Sequence, residues 1–591
     1  MTGVANGGEI RFSGMAVSAG FAHGPLKVLE RGEAPVPVYS ILPDQIPNEA
    51  GRFERAIEKT KAELLRIKDG VARNLGEGDA NIFEAHLLLL EDATIVAATL
   101  KQLETKKLNI EAVYNHVIGR YVEVLGALED PYLRERAADV RDISRRVLQA
   151  LAGEEGGLTD SITEPCILVA HDLAPSDTAQ LPTDKVLGFV TCIGSMTSHT
   201  AIMARALNIP AIVGIEAPLH DLKALEKTIA VLDGYTGQLV VNPTEATIAA
   251  SGAAETRHAS VIQDLVRLRE TRAITTDGHS VILSANLGRI EDLPDVAECG
   301  AEGVGLFRTE FLFSDRDEFP TEEEQTQMYC RVADAMKPHH VILRTLDLGG
   351  DKLLPGTHVS TETNPFLGMR AIRFCLAHPE ILRTQMRAML RAAAHAGGHV
   401  KIMYPMVSCV QEVRQANAIL AEERARLESD GLRIPEIEVG CMIEVPSAAL
   451  TAETLATEVS FFSIGTNDLI QYTIAIDRGN EELAHLYDPT HPGILRLIEH
   501  VINAAHQARI WVGLCGEMAG EFSIAPLLVG MGIDELSTGP AQVPRVKRAI
   551  QSVSHAEMKA MADDLLNLHS GQEIRARLDA LARQRVPELF D

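Results

Sequence analysis

From Val281 onward the chain alternates short apolar runs with helical segments eight times. The runs are Val281-Ile-Leu-Ser-Ala, Val304-Gly-Leu-Phe, Val341-Ile-Leu-Arg, Val400-Lys-Ile-Met-Tyr, Val439-Gly-Cys-Met-Ile, Ser460-Phe-Phe-Ser-Ile, Ile510-Trp-Val-Gly-Leu and Asp534-Glu-Leu-Ser. Eight alternations in about 310 residues match the count and size of a (β/α)8 barrel. A barrel also fixes where chemistry belongs, because its sites lie at the C-terminal ends of the strands.

Polar groups stand at those ends. The second run ends in Arg308, the third in Arg344 with Asp347 close behind, and the fifth in Glu444. Gly465-Thr-Asn-Asp after the sixth gives Asn467 and Asp468, and Cys515-Gly-Glu closes the seventh. Each alone would pass for an ordinary loop residue; their convergence on one rim predicts a site. Arg308 and Arg344 carry the donor fork that grips phosphate or carboxylate bidentately. Glu444 and Asp468, on adjacent strand ends, are hard oxygen ligands suited to magnesium, or equally a pair of capping or salt-bridged acids. Arg478, in Ile476-Asp-Arg-Gly-Asn, reads as another phosphate donor or as a solvated loop arginine, and Lys352 follows flexible glycines from which it could reach a ligand. Cys515 reads either as an inert core thiol or as an acid.

The N-terminal half has a different texture. Residues 31–151 read as helix after helix, with Phe53, Ile57, Leu64 and Ile67, then Ile110, Val113, Val117, Tyr121 and Leu128, then Ile143, Val147 and Leu151 at helical spacing. Residues 152–243 carry short β runs, and the strand-like residues 1–30 are expected to pair into the same small α/β domain, which makes the helical region an insertion. Residues 244–275 read as a linker helix, stiff or hinged near Ser251-Gly252, and 276–591 as the barrel. At 591 residues, with 46% of them hydrophobic, several well-buried cores are expected.

Within the small α/β domain, Gly194 to Arg205 places His199 after a flexible turn and at the first turn of a predicted helix, with Thr197 or Ser198 as its cap. A helix start favours phosphate, and a neutral imidazole there is a competent nucleophile toward phosphorus. A lone histidine is more often a cap or a core residue, so the local pattern leaves both readings open. A formal charge of −27 argues against nucleic acid and anionic membranes, and it requires that arginines be gathered locally if the substrate is a phosphate ester. No run of about 18 apolar residues and no secretory signal is present, so no membrane insertion is expected. Eight scattered cysteines without a CxxC pair fit a reduced cytoplasm.

The stretch Gly194 to Arg205 with Asn208-Ile-Pro-Ala-Ile-Val-Gly resembles the phosphohistidine motif of phosphoenolpyruvate-utilising enzymes, among them Enzyme I of the bacterial phosphotransferase system, pyruvate phosphate dikinase and phosphoenolpyruvate synthase. Gly305-Leu-Phe-Arg-Thr-Glu-Phe-Leu-Phe, Arg344-Thr-Leu-Asp-Leu-Gly-Gly-Asp-Lys, Asn364-Pro-Phe-Leu-Gly-Met-Arg, Gly465-Thr-Asn-Asp-Leu-Ile-Gln-Tyr and Leu514-Cys-Gly-Glu-Met-Ala-Gly are similar to the barrel motifs of that family. Glu84-Ala-His-Leu-Leu-Leu-Leu-Glu-Asp and Glu135-Arg-Ala-Ala-Asp-Val-Arg-Asp resemble Enzyme I in particular. One local departure is Gly194-Ser195, where the family usually has Gly-Gly or Gly-Ala.

The resemblance implies a swivelling phosphohistidine domain with an inserted helical subdomain, followed by the barrel. It implies that His199 is phosphorylated, that Arg308, Arg344, Asn467 and Arg478 hold phosphoenolpyruvate, and that Glu444 and Asp468 bind Mg2+, Asp468 also lying at the substrate. Cys515 would protonate the enolate, with Lys352, Arg370 and Arg373 as further contacts. A small histidine-containing phosphocarrier protein would dock on the helical subdomain and receive the phosphoryl group, the first step of a phosphotransferase system for sugar transport. A homodimer through the barrel is implied as well. The absence of a further N-terminal sensory segment favours the general branch, with sugar uptake and nitrogen-linked regulation both left open by the sequence. An ATP-dependent dikinase or synthase would carry a nucleotide-binding domain before the histidine, where this chain has only the helical region and no glycine-rich nucleotide loop. A non-catalytic scaffold would lack a histidine, arginine or metal ligand, and none is missing.

Overall fold

The computed structural model describes residues 4–590 apart from 7, 30–35, 76, 127–130, 154–161, 179, 196–198, 216, 314–315, 317, 349–363, 478–479 and 481–482. The chain divides into two compact units, 1–257 and 258–591.

The first unit is built on a nine-stranded sheet of β1 (Val4–Asn6), β2 (Glu9–Ser13), β3 (Met15–Ser18), β4 (Phe21–Leu29), β5 (Cys166–Ala170), β6 (Val186–Thr191), β7 (Ala211–Val213), β8 (Ile229–Asp233) and β9 (Gln238–Val241), in the order β1-β2-β9-β8-β4-β5-β6-β7-β3. β4 pairs antiparallel with β8 and parallel with β5, Leu26 lying opposite Ile167. A parallel return requires a crossover. Among the described residues it contains five α-helices, α1 (Ile46–Leu75), α2 (Glu77–Leu90), α3 (Ala93–Lys106), α4 (Ile110–Gly126) and α5 (Pro131–Ala152). The opening residues therefore belong to the sheet, and the helices are inserted between two of its paired strands.

The helical spacing seen in the sequence is the packing of the insertion. Phe53, Leu64, Ile110, Val113, Val117, Ile143 and Val147 are buried together in its core, with Ile57 and Tyr121 packed against it; Leu128 lies outside the described residues. The sheet buries both faces by strand alternation. Ile167 and Val169 of β5 enter one core, Leu168 and Ala170 the other.

The second unit contains a closed barrel of β10 (Ile282–Leu287), β11 (Gly303–Phe307), β12 (His340–Arg344), β13 (Val400–Tyr404), β14 (Val439–Ile443), β15 (Phe461–Ile464), β16 (Trp511–Leu514) and β17 (Glu535–Thr538). All neighbours are parallel, and β17 closes onto β10 with Ile282 opposite Glu535. Each strand overlaps one of the eight apolar runs. Leu306, Ile342, Met403, Met442, Phe461 and Cys515 fill a cluster of their own, while their neighbours Phe307, Leu343, Ile402, Cys441 and Phe462 join the larger core shared with the helices. This alternation is how a barrel packs its interior with side chains from successive strands. The helix expected over 244–275 runs over Glu245–Arg267, continuous through Ser251-Gly252, and ends in a 3-10 turn at Leu268–Glu270. Among the described residues no helix is long and apolar enough to cross a membrane.

Candidate active site

The backbone of His199 opens the helix His199–Ala206, where the sequence places a helix start; its side chain and its expected caps Thr197 and Ser198 lie outside what is described. The helix is fixed on two sides. Ala201 and Ala204 pack into the sheet core, and Met203 enters the core of the insertion. Thr200 Oγ1 donates to Leu173 O at 2.7 Å, and Arg205 Nη1 donates to Val17 O at 3.2 Å. Gly194, ahead of the helix, has φ +134°, and a Cβ there would lie 3.1 Å from Val213. Only glycine meets that backbone angle without strain. The N-terminal end of a helix carries the positive end of its dipole, which favours an anion.

At the C-terminal ends of the barrel strands, five of the residues expected there share one charged network. Arg344 ends β12 and is buried; its Nη2 donates to Glu310 Oε1 at 2.9 Å, and its Nη1 lies 3.0 Å from Asp347 Oδ2. The other Asp347 oxygen is 3.0 Å from Arg370 Nη2, which also lies 3.6 Å from Asp468 Oδ2. Arg370 Nη1 donates to the Tyr472 hydroxyl at 3.3 Å, and that hydroxyl donates to Phe366 O at 2.6 Å. Removing one member of a buried pair costs about 3–5 kcal/mol, so these guanidinium positions are enforced rather than incidental. Despite full burial, the carboxylates of Glu310, Asp347 and Glu444 hold Arg344 well above the ordinary arginine value.

Among the described residues, two buried atoms of this network have no hydrogen-bond partner: Arg344 Nε, a donor, and Asp468 Oδ1, an acceptor. Glu444 Oε1 accepts the Met406 N–H at 2.6 Å. Burial first, then the charges of Asp468 and Asp347, push the Glu444 carboxyl well above its ordinary value. Two crowded carboxylates, one with an oxygen unpartnered among the described residues, are hard donors of the kind a divalent cation takes together with water and substrate oxygens. The residues fit magnesium.

Cys515 follows β16 and belongs to the barrel interior. Burial pushes its thiol up to about 11, against the lowering effects of a hydrogen bond with Ser463 and of Arg344 and Arg308. The thiol thus keeps its proton throughout the neutral range; the stability this contributes is lost only as pH rises beyond the ordinary value of 9. Iodoacetamide at pH 7.5 is expected to label Cys515 at least about tenfold more slowly than the half-buried Cys409, since the thiolate is the reactive form. Equal rates in peptide-resolved mass spectrometry would contradict a neutral Cys515.

Asn467 donates from Nδ2 to Glu517 Oε1 at 3.0 Å, and its Oδ1 accepts the Glu517 N–H at 2.9 Å. Gly516 permits this close approach of the two strand ends, because a Cβ there would fall 1.9 Å from Thr466 Oγ1. Arg308 is exposed after β11, its N–H donating to Leu287 O at 3.0 Å. Arg373 turns to the Pro365–Leu367 turn instead, donating to Leu367 O at 3.1 Å and Gly368 O at 3.2 Å. Lys352 and Arg478 lie outside the described residues. Sequence reasoning gave no role to Glu310, Tyr472 or Glu517. Their only signal was position, next to strand-end residues already singled out.

Three family models match along the chain: PEP-utilising enzyme, N-terminal (residues 13–136), PEP-utilising enzyme, mobile domain (162–237), and PEP-utilising enzyme, PEP-binding domain (263–555). Phosphoenolpyruvate-protein phosphotransferase of Staphylococcus carnosus is 45% identical over 89% of this chain and 91% of its own. The enzymes of the same description from Priestia megaterium and Listeria monocytogenes are each 43% identical, over 95% and 90% of this chain and 97% and 92% of their own. An enzyme with this barrel, this strand-end network and these relatives has one placement: the chain belongs to the phosphoenolpyruvate-utilising enzymes, within the family of phosphoenolpyruvate-protein phosphotransferases.

Proposed function

We propose that this enzyme takes the phosphoryl group of phosphoenolpyruvate onto His199, releases pyruvate, and passes the phosphoryl group to a histidine of a small phosphocarrier protein docked on the helical insertion. The observation that carries the reading is the pair of unpartnered buried atoms on the barrel rim. Among the described residues nothing accepts from Arg344 Nε and nothing donates to Asp468 Oδ1, an arrangement suited to an anion oxygen at the first and a cation at the second. Burying a polar atom without a partner costs on the order of 1–3 kcal/mol, and a bound anion with its metal would remove both costs.

The steps follow from the residues. Arg308, Arg344 and Arg478 hold the phosphoryl and carboxylate oxygens; Arg370, Lys352 and Asn467 complete the contacts. Glu444 and Asp468 would hold magnesium, which when bound neutralises phosphoryl charge. An imidazole nitrogen of His199 attacks phosphorus in line, the bond from phosphorus to the enol oxygen breaks, and its electron pair leaves with the enolate. Positioning and charge stabilisation supply most of the rate. Cys515 gives its proton to the methylene carbon, pyruvate departs, and solvent restores the thiol. The reading includes a cytoplasmic setting and a homodimer joined through the barrel.

With phosphoenolpyruvate, magnesium and a phosphocarrier, the enzyme is expected to release pyruvate without any nucleotide; strict dependence on ATP would overturn the reading. A second expectation concerns Glu444. Because its folded-state pKa is raised, ionised Glu444 destabilises the metal-free fold increasingly as pH rises above 4.5. Glu444→Gln should therefore stabilise the metal-free protein by about 1–3 kcal/mol at pH 7.5 while abolishing stabilisation by magnesium. Urea unfolding with and without magnesium measures both, and wild-type stabilisation by magnesium in the variant would remove Glu444 from the metal site.

A further inference from the structure

Three consecutive residues after β11 behave differently. Arg308 is exposed, whereas Thr309 and Glu310 are buried against the end of β12. Thr309 Oγ1 donates to Arg344 O at 3.0 Å and accepts from Gln385 Nε2 at 3.1 Å; Gln385 Oε1 in turn accepts the Leu346 N–H at 2.9 Å. Glu310 reaches the same segment twice through one oxygen. Its Oε1 accepts Arg344 Nη2 at 2.9 Å and the Asp347 N–H at 3.0 Å. The side chains of Thr309, Glu310 and Gln385 thus hold Arg344, Leu346 and Asp347 in register.

We propose that Glu310 is a positioning residue for substrate, setting the Arg344 guanidinium at the angle that leaves its Nε donor for an oxygen of phosphoenolpyruvate. The inference rests on the assignment of Arg344 to substrate. Asp347 alone does not fix that angle, because its other oxygen is engaged by Arg370. Glu310 ties the head of Arg344 to the main chain three residues further on, so the side chain and the loop move as one body. A neutral acceptor would satisfy the Asp347 N–H equally well. At the guanidinium the carboxylate charge counts, because a charge-assisted bond is roughly twice as strong as a neutral one. A negative charge at an anion site opposes substrate binding in itself, so Glu310 is useful there through geometry and not through its field.

The test is a double-mutant cycle in the full-length enzyme, reading kcat/KM and Kd for phosphoenolpyruvate in the presence of magnesium. Glu310→Gln keeps shape and acceptor, leaves Asp347 to pair with the Arg344 guanidinium, and is expected to lower kcat/KM about tenfold. Glu310→Asp cannot reach both donors and is expected to lose about 100-fold, the cost of a displacement near 1 Å. In an Arg344→Lys background, where the second guanidinium arm is absent, Glu310→Gln should change kcat/KM by less than about twofold. An undiminished Glu310→Gln effect in that background, or wild-type constants for Glu310→Gln, would overturn the positioning role while leaving Arg344 in place. Wild-type kcat/KM and Kd for Arg344→Lys together with Arg344→Met would instead overturn the assignment of Arg344 on which the inference stands.

Discussion

A His199→Ala enzyme is expected to bind phosphoenolpyruvate with magnesium at near wild-type affinity and to release no pyruvate above background. The separation follows from the architecture. His199 lies in the first unit, on a helix built against the nine-stranded sheet, whereas the strand-end arginines and carboxylates belong to the second. Loss of the acceptor leaves the binding network untouched, and no other residue in the reading takes its place as nucleophile. Calorimetry of binding beside a pyruvate assay checks both halves. Pyruvate release at more than about one hundredth of the wild-type rate would mean that phosphorus is attacked by another group.

Cys515→Ser should show the opposite division. General acid catalysis contributes about 10²–10⁴-fold, and a serine hydroxyl is a far weaker acid than the thiol, even with the thiol raised to about 11. Serine is also nearly isosteric in the barrel interior, so substrate affinity and melting temperature should stay close to wild type while pyruvate formation falls by two orders of magnitude or more. Phosphoryl transfer onto His199 is chemically distinct from protonation of the enolate, so the variant should still reach phosphohistidine, while the enolate that has gained no proton at carbon stays bound and favours return of the phosphoryl group. Turnover within about threefold of wild type would return Cys515 to the role of a core thiol.

The barrel was legible because parallel strands covered on both faces must be apolar throughout, which makes each run stand out between amphipathic helices. The same logic placed Arg344, Glu444, Asp468 and Cys515 on one rim, since a strand end is a position that the sequence pattern defines. The partners of those residues depend on register across strands and loops, to which local patterns are blind. Glu310 meets Arg344 from 34 positions away, and Asn467 meets Glu517 from 50. Arg370 and Arg373 are both expected as further contacts, but one joins Asp347 in the charged network and the other braces a turn. Their spacing of three gives no hint of this. The unpartnered Arg344 Nε and Asp468 Oδ1 could be identified only once every neighbouring donor and acceptor had a position.

The central claim is that the phosphoryl group rests on His199 between donor and acceptor. The most direct measurement is to incubate the enzyme with phosphoenolpyruvate labelled in its phosphoryl group and magnesium, digest it under alkaline conditions that preserve phosphohistidine, and map the label by peptide. The account predicts acid-labile label on the single peptide containing His199, chased to a phosphocarrier on its addition. Label on any other residue, or acid-stable label that no carrier removes, would contradict it.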